Sequence, residues 1–473
     1  MKKRIIAIIV AIVLIIPLSR GWYEFLHDNF FDAELASSTQ LKFKKISDTE
    51  AEVVGYNQNW MKKITILGKK ITIPEKIQIG YIYYKVTSIG YAAFSGCENL
   101  TSIKIPEGVT SIRKWAFYGC SSLTNINIPK GVTCIGVEAF NGCSSLTSIK
   151  IPEGVTSIGY AAFRECSSLT SINIPESVTS IESSAFSRCN SLEPKLLVYD
   201  KGTKCYGWVG DKKKCTEIVI PKGVTSIGAS AFFDCSNLTN IDVPEGVTSI
   251  GNRAFYGCSN LASIDIPEGV TSIGERAFEG CSLLTSINIP KGVTSIGERT
   301  FYGCSNLTSI NIPKGVTSIG RSAFDGCSSL VSIEIPDGVT SIGEEAFSGC
   351  ISLTSIEIPE GVTSIGYAAF RECSSLTNIK IPKSVTSIGA YAFYRCSSLT
   401  SIKIPDGVTS IGYAAFEECS SLTSIKIPKG VTSIGKWAFY GCSNLDIVID
   451  NSKKKVEVGW NAFEYCKSVK WLK

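Results

Sequence analysis

Leu100-Thr-Ser-Ile-Lys-Ile-Pro-Glu-Gly-Val-Thr-Ser-Ile-Arg-Lys-Trp-Ala-Phe-Tyr-Gly-Cys-Ser-Ser122 is one period of a 23-residue repeat, and its reading decides the fold. Leu100, Ile103 and Ile105 predict a short strand with its apolar residues inward. Pro106 has no backbone donor and ends that strand. Pro-x-Gly then turns the chain, with Gly108 free to take a positive φ. Ser177 and Ser384 stand at the same place, so a positive φ is not obligatory there. Val109 and Ile112 form a second inward pair on another side of the coil. Ala116, Phe117 and Cys120 fill the remainder from a short helical or 3-10 turn.

Outward from this stretch the pattern repeats, with fifteen V-T-[SC]-I segments between Val86 and Ile434. Phe recurs in step from Phe94 to Phe439 and again at Phe463, and Pro from Pro106 to Pro428 with one coil skipped. One coil cannot bury its apolar face alone; stacking coils at about 4.8 Å closes the core and pairs the backbones. The expected fold is a repeat solenoid, mainly β with short helical or 3-10 turns, of about 16 coils and capped at both ends. Residues 1–21 read as a signal peptide or membrane anchor, 22–36 as a linker and 37–85 as an N-terminal β cap. Two repeat arrays follow at 86–189 and 216–444, separated by a diverged coil at 190–215, and 445–473 read as the C-terminal cap coil. Residues 152–170 and 359–377 are identical, which copying of whole coils explains.

The 19 cysteines follow the same period. Cys97 to Cys189 and Cys235 to Cys442 keep the 23-residue step, Cys466 comes 24 after Cys442, and only Cys134, Cys205 and Cys215 fall outside the series. One Cys per repeat is neither a C-x-x-C metal pattern nor a paired framework; it reads as a small buried hydrophobe in every coil. Cys205 and Cys215 are the candidate disulfide, which requires an exported chain.

L-x-x-I-x-I matches the strand of leucine-rich repeats. Its continuation, I-P-x-G-V-T-S-I-G-x-x-A-F-x-x-C, resembles the BspA-like, or Treponema-type, leucine-rich repeat family over about 80% of the chain. That resemblance implies a bacterial or protist surface protein, often an adhesin for host or neighbouring-cell proteins, with no catalytic residues to carry over. The chain departs from the family in anchoring: Ser468-Val-Lys-Trp-Leu-Lys473 carries no wall-sorting motif or apolar tail.

Composition narrows the function further. Hydrophobic residues make up 44% of the chain, enough for a large core, and the net charge of +5 is weak for 473 residues. No strongly basic domain stands out, so nucleic acid is not the expected partner. The single histidine, His27, precedes the repeats, which leaves triads, zinc sites and most acid–base pairs without their usual residue. No enzyme, cofactor or metal is expected. Basic Met1-Lys-Lys-Arg4 and apolar Ile5 to Leu18 form an export signal, either cleaved or retained as an anchor in the membrane. The expected location is therefore the cell surface or the secreted fraction.

Only outward positions vary. The strand position reads Asp242, Asp265, Asn288, Asn311, Glu334, Glu357, then Lys380, Lys403, Lys426. The residue after Pro mostly follows the same sign, as in Glu245, Glu268, Asp337 and Glu360, then Lys383 and Lys429. Aromatics flank the Ala-Phe pair and thicken towards the C-terminus at Tyr367, Tyr391, Tyr394, Tyr413, Trp437 and Tyr440. These six aromatics with Lys380, Lys403 and Lys426 are the candidate partner-binding residues. The expected partner is a host or bacterial surface protein, with a glycan stacking on the aromatics as an alternative ligand. A self-associating envelope protein is the competing function, and the sequence leaves the oligomeric state open.

Overall fold

The structure, a computed structural model, describes residues 33–35, 41–56 and 70–472. The expected signal or anchor and most of the linker lie outside them. Among the described residues no helix is long and apolar enough to cross a membrane. The chain divides into two compact units, Met1–Glu193 and Pro194–Lys473.

Most coils place two short strands. The L-T-S-I-x segments form one row, as where Ser148–Lys150 pairs in parallel with Ser171–Asn173. The V-T-S-I segments form the second, as where Ser157–Ile158 pairs with Ser180–Ile181. The strand registers within the regular coils join residues one period apart, so equivalent positions stack. The apolar slots are filled by the same residue types in coil after coil and are almost wholly buried.

Both units open on the same device. In the first, Leu41–Lys45 and Glu50–Tyr56 form an antiparallel hairpin whose second strand adds in parallel to Ile82–Ile89, which starts the V-T-S-I row. In the second, Lys195–Tyr199 and Lys204–Val209 form the hairpin, and the latter adds to Ser226–Ile227. The diverged coil thus supplies a hairpin cap. Lys70–Thr72 already pairs with Ser102–Lys104, which places Ile71-Thr-Ile73 in the first strand row. At the far end the last core layer is only partly covered. Phe463, Cys466, Val469 and Trp471 are half-buried, whereas Phe439 and Cys442 one coil earlier are fully enclosed.

The third side of the coil differs from the helical turn expected of it. Ala139 N–H donates to the Gly136 carbonyl and Cys143 N–H to that of Phe140, so the segment is a chain of four-residue turns. Between these bonds, Glu138, Phe140 and Gly142 donate forward to Tyr160, Ala162 and Arg164 of the next coil. The strand rows donate backward, as Thr133 does to Thr110 and Gly136 to Ile112. Alternate N–H groups therefore point along the stack, which a helix would not allow, because its donors bond within the helix. The residue before Ala-Phe takes a left-handed φ to permit this, and it is non-glycine in most coils: Glu138 at 51°, Arg299 at 51°, Tyr391 at 57°, Trp437 at 58°. Among the described residues the one 3-10 helix is Lys212–Lys214.

Glycines play a different part from the one expected in Pro-x-Gly. Gly108 and its equivalents take no positive φ; Val109 N–H closes the turn onto the Pro106 carbonyl without it. Ser177 and Ser384 stand there and donate to the carbonyls of Val155 and Val362. The glycine after V-T-S-I, replaced by Arg113 and Glu182 in two coils, permits close approach at several positions. A Cβ on Gly412 would lie 2.5 Å from the nitrogen of Ala390 and from the Gly389 carbonyl carbon. Gly412→Ala is therefore expected to lower stability by about 1–2 kcal/mol through a forced backbone shift. Urea unfolding of the variant against the parent protein measures it.

Candidate functional site

Among the described residues the core is built of repeating Leu, Ile, Val, Ala, Phe and Cys side chains. Phe rings stack at 5.1 to 6.0 Å between centroids, from Phe232 to Phe463 in the second unit. The ladder thiols donate to the Phe carbonyl 26 residues earlier, as Cys350 does to Phe324 at 3.3 Å and Cys373 to Phe347 at 3.1 Å. Burial pushes Cys304 and Cys373 up to about 12, so these thiols stay protonated and inert at neutral pH.

The outward strand position opens a groove in the second unit. Asn288, Asn311, Glu334, Asp337, Glu357 and Lys380 line a depression of about 1120 Å³. A second of about 740 Å³ shares Asn288, Asn311, Glu334 and Asp337 and adds Lys291 and Lys314. The groove spans the point where the row changes sign, and there Lys380 donates to Glu357, its register partner. That bond raises the lysine's affinity for its proton. Further along, Lys426 meets Asp450 at 3.3 Å. Opposite charges thus meet where acidic and basic coils adjoin, although the acidic and basic stretches are each of one sign.

The aromatics form a separate strip beside the Ala-Phe turns. Tyr367, Tyr391, Tyr413 and Trp437 contact in sequence at 5.1 to 5.7 Å, tilted or edge to face. Tyr394 meets Tyr391 at 5.6 Å, and Tyr440 meets Trp437 at 6.5 Å. The strip continues through Trp460 and Tyr465, both mostly exposed, which the sequence reading missed. Trp460 was legible, since it stands one 23-residue period after Trp437. The cations beside the strip are arginines: Arg371 and Arg395 lie 5.8 and 5.0 Å from the Tyr394 ring.

The structure therefore does not gather the nine candidate residues into one patch. Lys380, Lys403 and Lys426 belong to the first strand row and line the groove or lie along its continuation. Tyr367, Tyr391, Tyr394, Tyr413, Trp437 and Tyr440 follow the second strand row in each coil. The V-T-S-I row separates the two sets.

Cys205 and Cys215, the candidate disulfide, are separate buried thiols. Cys205 takes an isoleucine slot, paired with Ile227, and Cys215 takes a leucine slot, one period before Leu238. Different slots on the coil, not the short interval between them, set where their side chains lie.

Two carboxylates on the turn side are perturbed. Burial pushes Asp325 up to about 6, opposed by a hydrogen bond with Ser348, and burial likewise raises Glu279. Among the described residues no group of three or more His, Cys, Asp or Glu side chains converges as a metal site would require.

Parallel coils with a leucine-rich strand row, a monotonous core and variable outward positions define a leucine-rich repeat solenoid, a fold that serves as a binding scaffold. The sequence profile described as BspA type leucine rich repeat region (6 copies) matches residues 68–193, 210–331, 294–416 and 386–473. The chain belongs to that family. Among solved structures, a leucine-rich repeat protein from Bacteroides ovatus is 29% identical with a TM-score of 0.44, covering 92% of this chain and 99% of its own. A leucine rich cell surface protein from Faecalibacterium prausnitzii is 28% identical with a TM-score of 0.42, covering 92% and 98%. No curated protein matches the sequence.

Proposed function

We propose that this chain is an exported, surface-displayed adhesin that recognises a host or neighbouring-cell protein. The observation that carries this reading is the groove at the change of sign. Around it the coil interior is invariant, while the groove wall runs from Asn288 through Glu334 and Glu357 to Lys380. A wall acidic at Glu334, Asp337, Glu357 and Glu360 and basic at Lys380 steers a partner of complementary charge pattern and selects its orientation. Basic Met1 to Arg4 followed by apolar Ile5 to Leu18 supports export. The aromatic strip is a second contact surface, its rings half-exposed and held by their neighbours.

The test is capture of host matrix proteins and intact bacterial cells by the mature chain. Lys380→Glu, Lys403→Glu and Lys426→Glu combined are expected to cut capture about tenfold at low salt, with the difference shrinking as salt rises. Tyr391→Ala with Trp437→Ala tests the strip in a separate arm. Unchanged capture in both arms would remove the proposed surfaces. The acidic and basic stretches of one row also favour self-association. Salt-sensitive light scattering by the chain alone, with no capture, would assign the row to that role.

A further inference from the structure

The turn after proline is expanded at the start of the first unit. In the regular coil two residues separate Pro106 from Val109; eleven separate Pro74 from Val86, which hold the same two positions one coil earlier. The extra residues form a hairpin, Lys76–Ile79 paired antiparallel with the start of Ile82–Ile89. Val86 N–H closes its base on the Glu75 carbonyl at 2.9 Å. Its two-residue turn is Gly80-Tyr81, with Gly80 at a φ of 62°, a place where such turns favour glycine.

The hairpin is amphipathic. Ile77 and Tyr84 are register partners, and both are buried. Ile79 and Ile82, the next pair on the same face, pass beyond that cover, and Ile82 is 52% exposed. At the tip Tyr81 is 99% exposed, and Tyr83, on the reverse face, is 64% exposed. Lys76 and Lys85 pair at the base of the reverse face, and both are exposed. Glu75 adjoins them, which leaves a net positive charge at the base. The Gln78 amide donates to the Gly80 carbonyl at 3.2 Å, so that carbonyl keeps a partner if the tip leaves water. The hairpin that opens the second unit has Asp200-Lys201-Gly202 at its tip, so a solvated turn in this fold needs no run of large apolar side chains.

We propose that this hairpin docks on an anionic lipid surface, with Tyr81, Ile82 and Tyr83 entering the headgroup boundary and Lys76 and Lys85 meeting the phosphates. Tyrosine suits that boundary, because its ring is apolar and its hydroxyl stays wet. Apolar side chains sink about 5–10 Å into such an interface. Lys85 stands four residues from Tyr81, about 13 Å along a strand, and its long stem lets the ammonium reach the headgroups. Lipid headgroups of negative charge complement the two lysines. A second copy of the chain fits less well. The three tip side chains offer roughly 400 Å², short of the ~600–800 Å² per partner that a stable protein interface buries. The docking is separate from any role of the groove, which lies in the other unit.

Because Ile5 to Leu18 is itself apolar, bulk binding of the full chain to vesicles does not report on the hairpin; side-chain footprinting does. The full chain is oxidised by hydroxyl radicals with and without vesicles of phosphatidylglycerol and phosphatidylcholine, and the rate at each tyrosine is read by mass spectrometry. Tyr81 and Tyr83 are expected to slow severalfold on these vesicles and much less on phosphatidylcholine alone. Tyr118, 42% exposed in the same unit, should keep its rate. Lys76→Gln with Lys85→Gln should weaken the protection, at about fivefold in lipid affinity for each lysine removed. Both side chains are exposed, and circular dichroism checks that the variant is folded. Unchanged rates at Tyr81 and Tyr83 on anionic vesicles would overturn the proposal, as would equal slowing at Tyr118 or undiminished protection in the folded lysine variant. Slowing at the tip as chain concentration rises without lipid would assign the hairpin to a second copy instead.

Discussion

Phe324→Ala is expected to lower the stability of the second unit by about 3–5 kcal/mol, the cost of a buried aromatic truncated to a methyl group. The ring is fully buried and lies between Phe301 at 5.5 Å and Phe347 at 5.4 Å. Its neighbours cannot close the gap cheaply. Phe301 N–H is bonded to the Ala323 carbonyl and Phe324 N–H to that of Ala346, so backbone ladders fix the coil spacing on both sides. Because each coil touches only its neighbours, the damage should be local. Hydrogen exchange should accelerate in the coils flanking residue 324 before it does near the ends of the unit. Phe463→Ala is the control: that ring is half-buried and covered on one side, so its removal should cost less than half as much. A loss below about 1.5 kcal/mol at Phe324 would mean that the stack collapses onto the cavity.

The core was legible because stacking forces every coil to solve the same packing problem. Leu100, Ile103, Ile105, Val109, Ile112, Ala116, Phe117 and Cys120 were all read as inward, and all are buried. The path of the chain past Ala116 was not legible. The left-handed residue ahead of Ala-Phe is Trp115 in one coil, Glu138 in the next and Ser184 in another. None of these types advertises a positive φ, and each costs on the order of 1 kcal/mol there. The signal is absent locally because the cause is not local: the N–H is held by a carbonyl 22 residues later. Two residues after Phe, a second left-handed position is glycine in many coils, so sequence does mark that turn. Glu165, Arg188, Glu372, Arg395 and Glu418 replace that glycine. Arg188 with Glu165 and Arg395 with Glu418 then form ion pairs across coils, at 2.8 and 2.7 Å.

The outward residues show the same division. Period alone identified the lysine row and the aromatic row, and both exist as continuous lines. Period does not say which side of the coil a row occupies; that follows from the direction of the chain after Pro and after the V-T-S-I glycine. Lys403 and Tyr413 are ten residues apart in sequence, yet a whole strand row stands between their positions. Pairing charge between neighbouring coils was equally hidden. Arg276 with Glu298, at 2.9 Å, joins residues 22 apart that no helical or strand spacing would match.

Arg113→Ala is expected to destabilise the first unit by about 2–3 kcal/mol, because it strands a buried carboxylate. Arg113 stands where most coils carry the glycine after V-T-S-I, and its Nε lies 3.0 Å from an oxygen of Glu52. The Glu52 side chain is 5% exposed, on the hairpin strand that starts the second row. Ser111 donates to Ser88 at 2.9 Å, and Ser88 donates to Glu52 at 2.9 Å, so a chain of hydrogen bonds crosses from the second coil into the cap. Arg113 is 57% exposed, so solvent screens part of the pair, and the cost falls below that of a fully buried one. Glu52→Gln in the Arg113→Ala background should recover a good part of the loss, since the amide keeps an acceptor for Ser88 without a charge to desolvate. A double-mutant cycle on urea unfolding separates the pair's coupling from the loss of the arginine's own packing. If Arg113→Ala costs under about 0.5 kcal/mol, the contact behaves as an ordinary surface pair, and the cap is held by its backbone ladder alone.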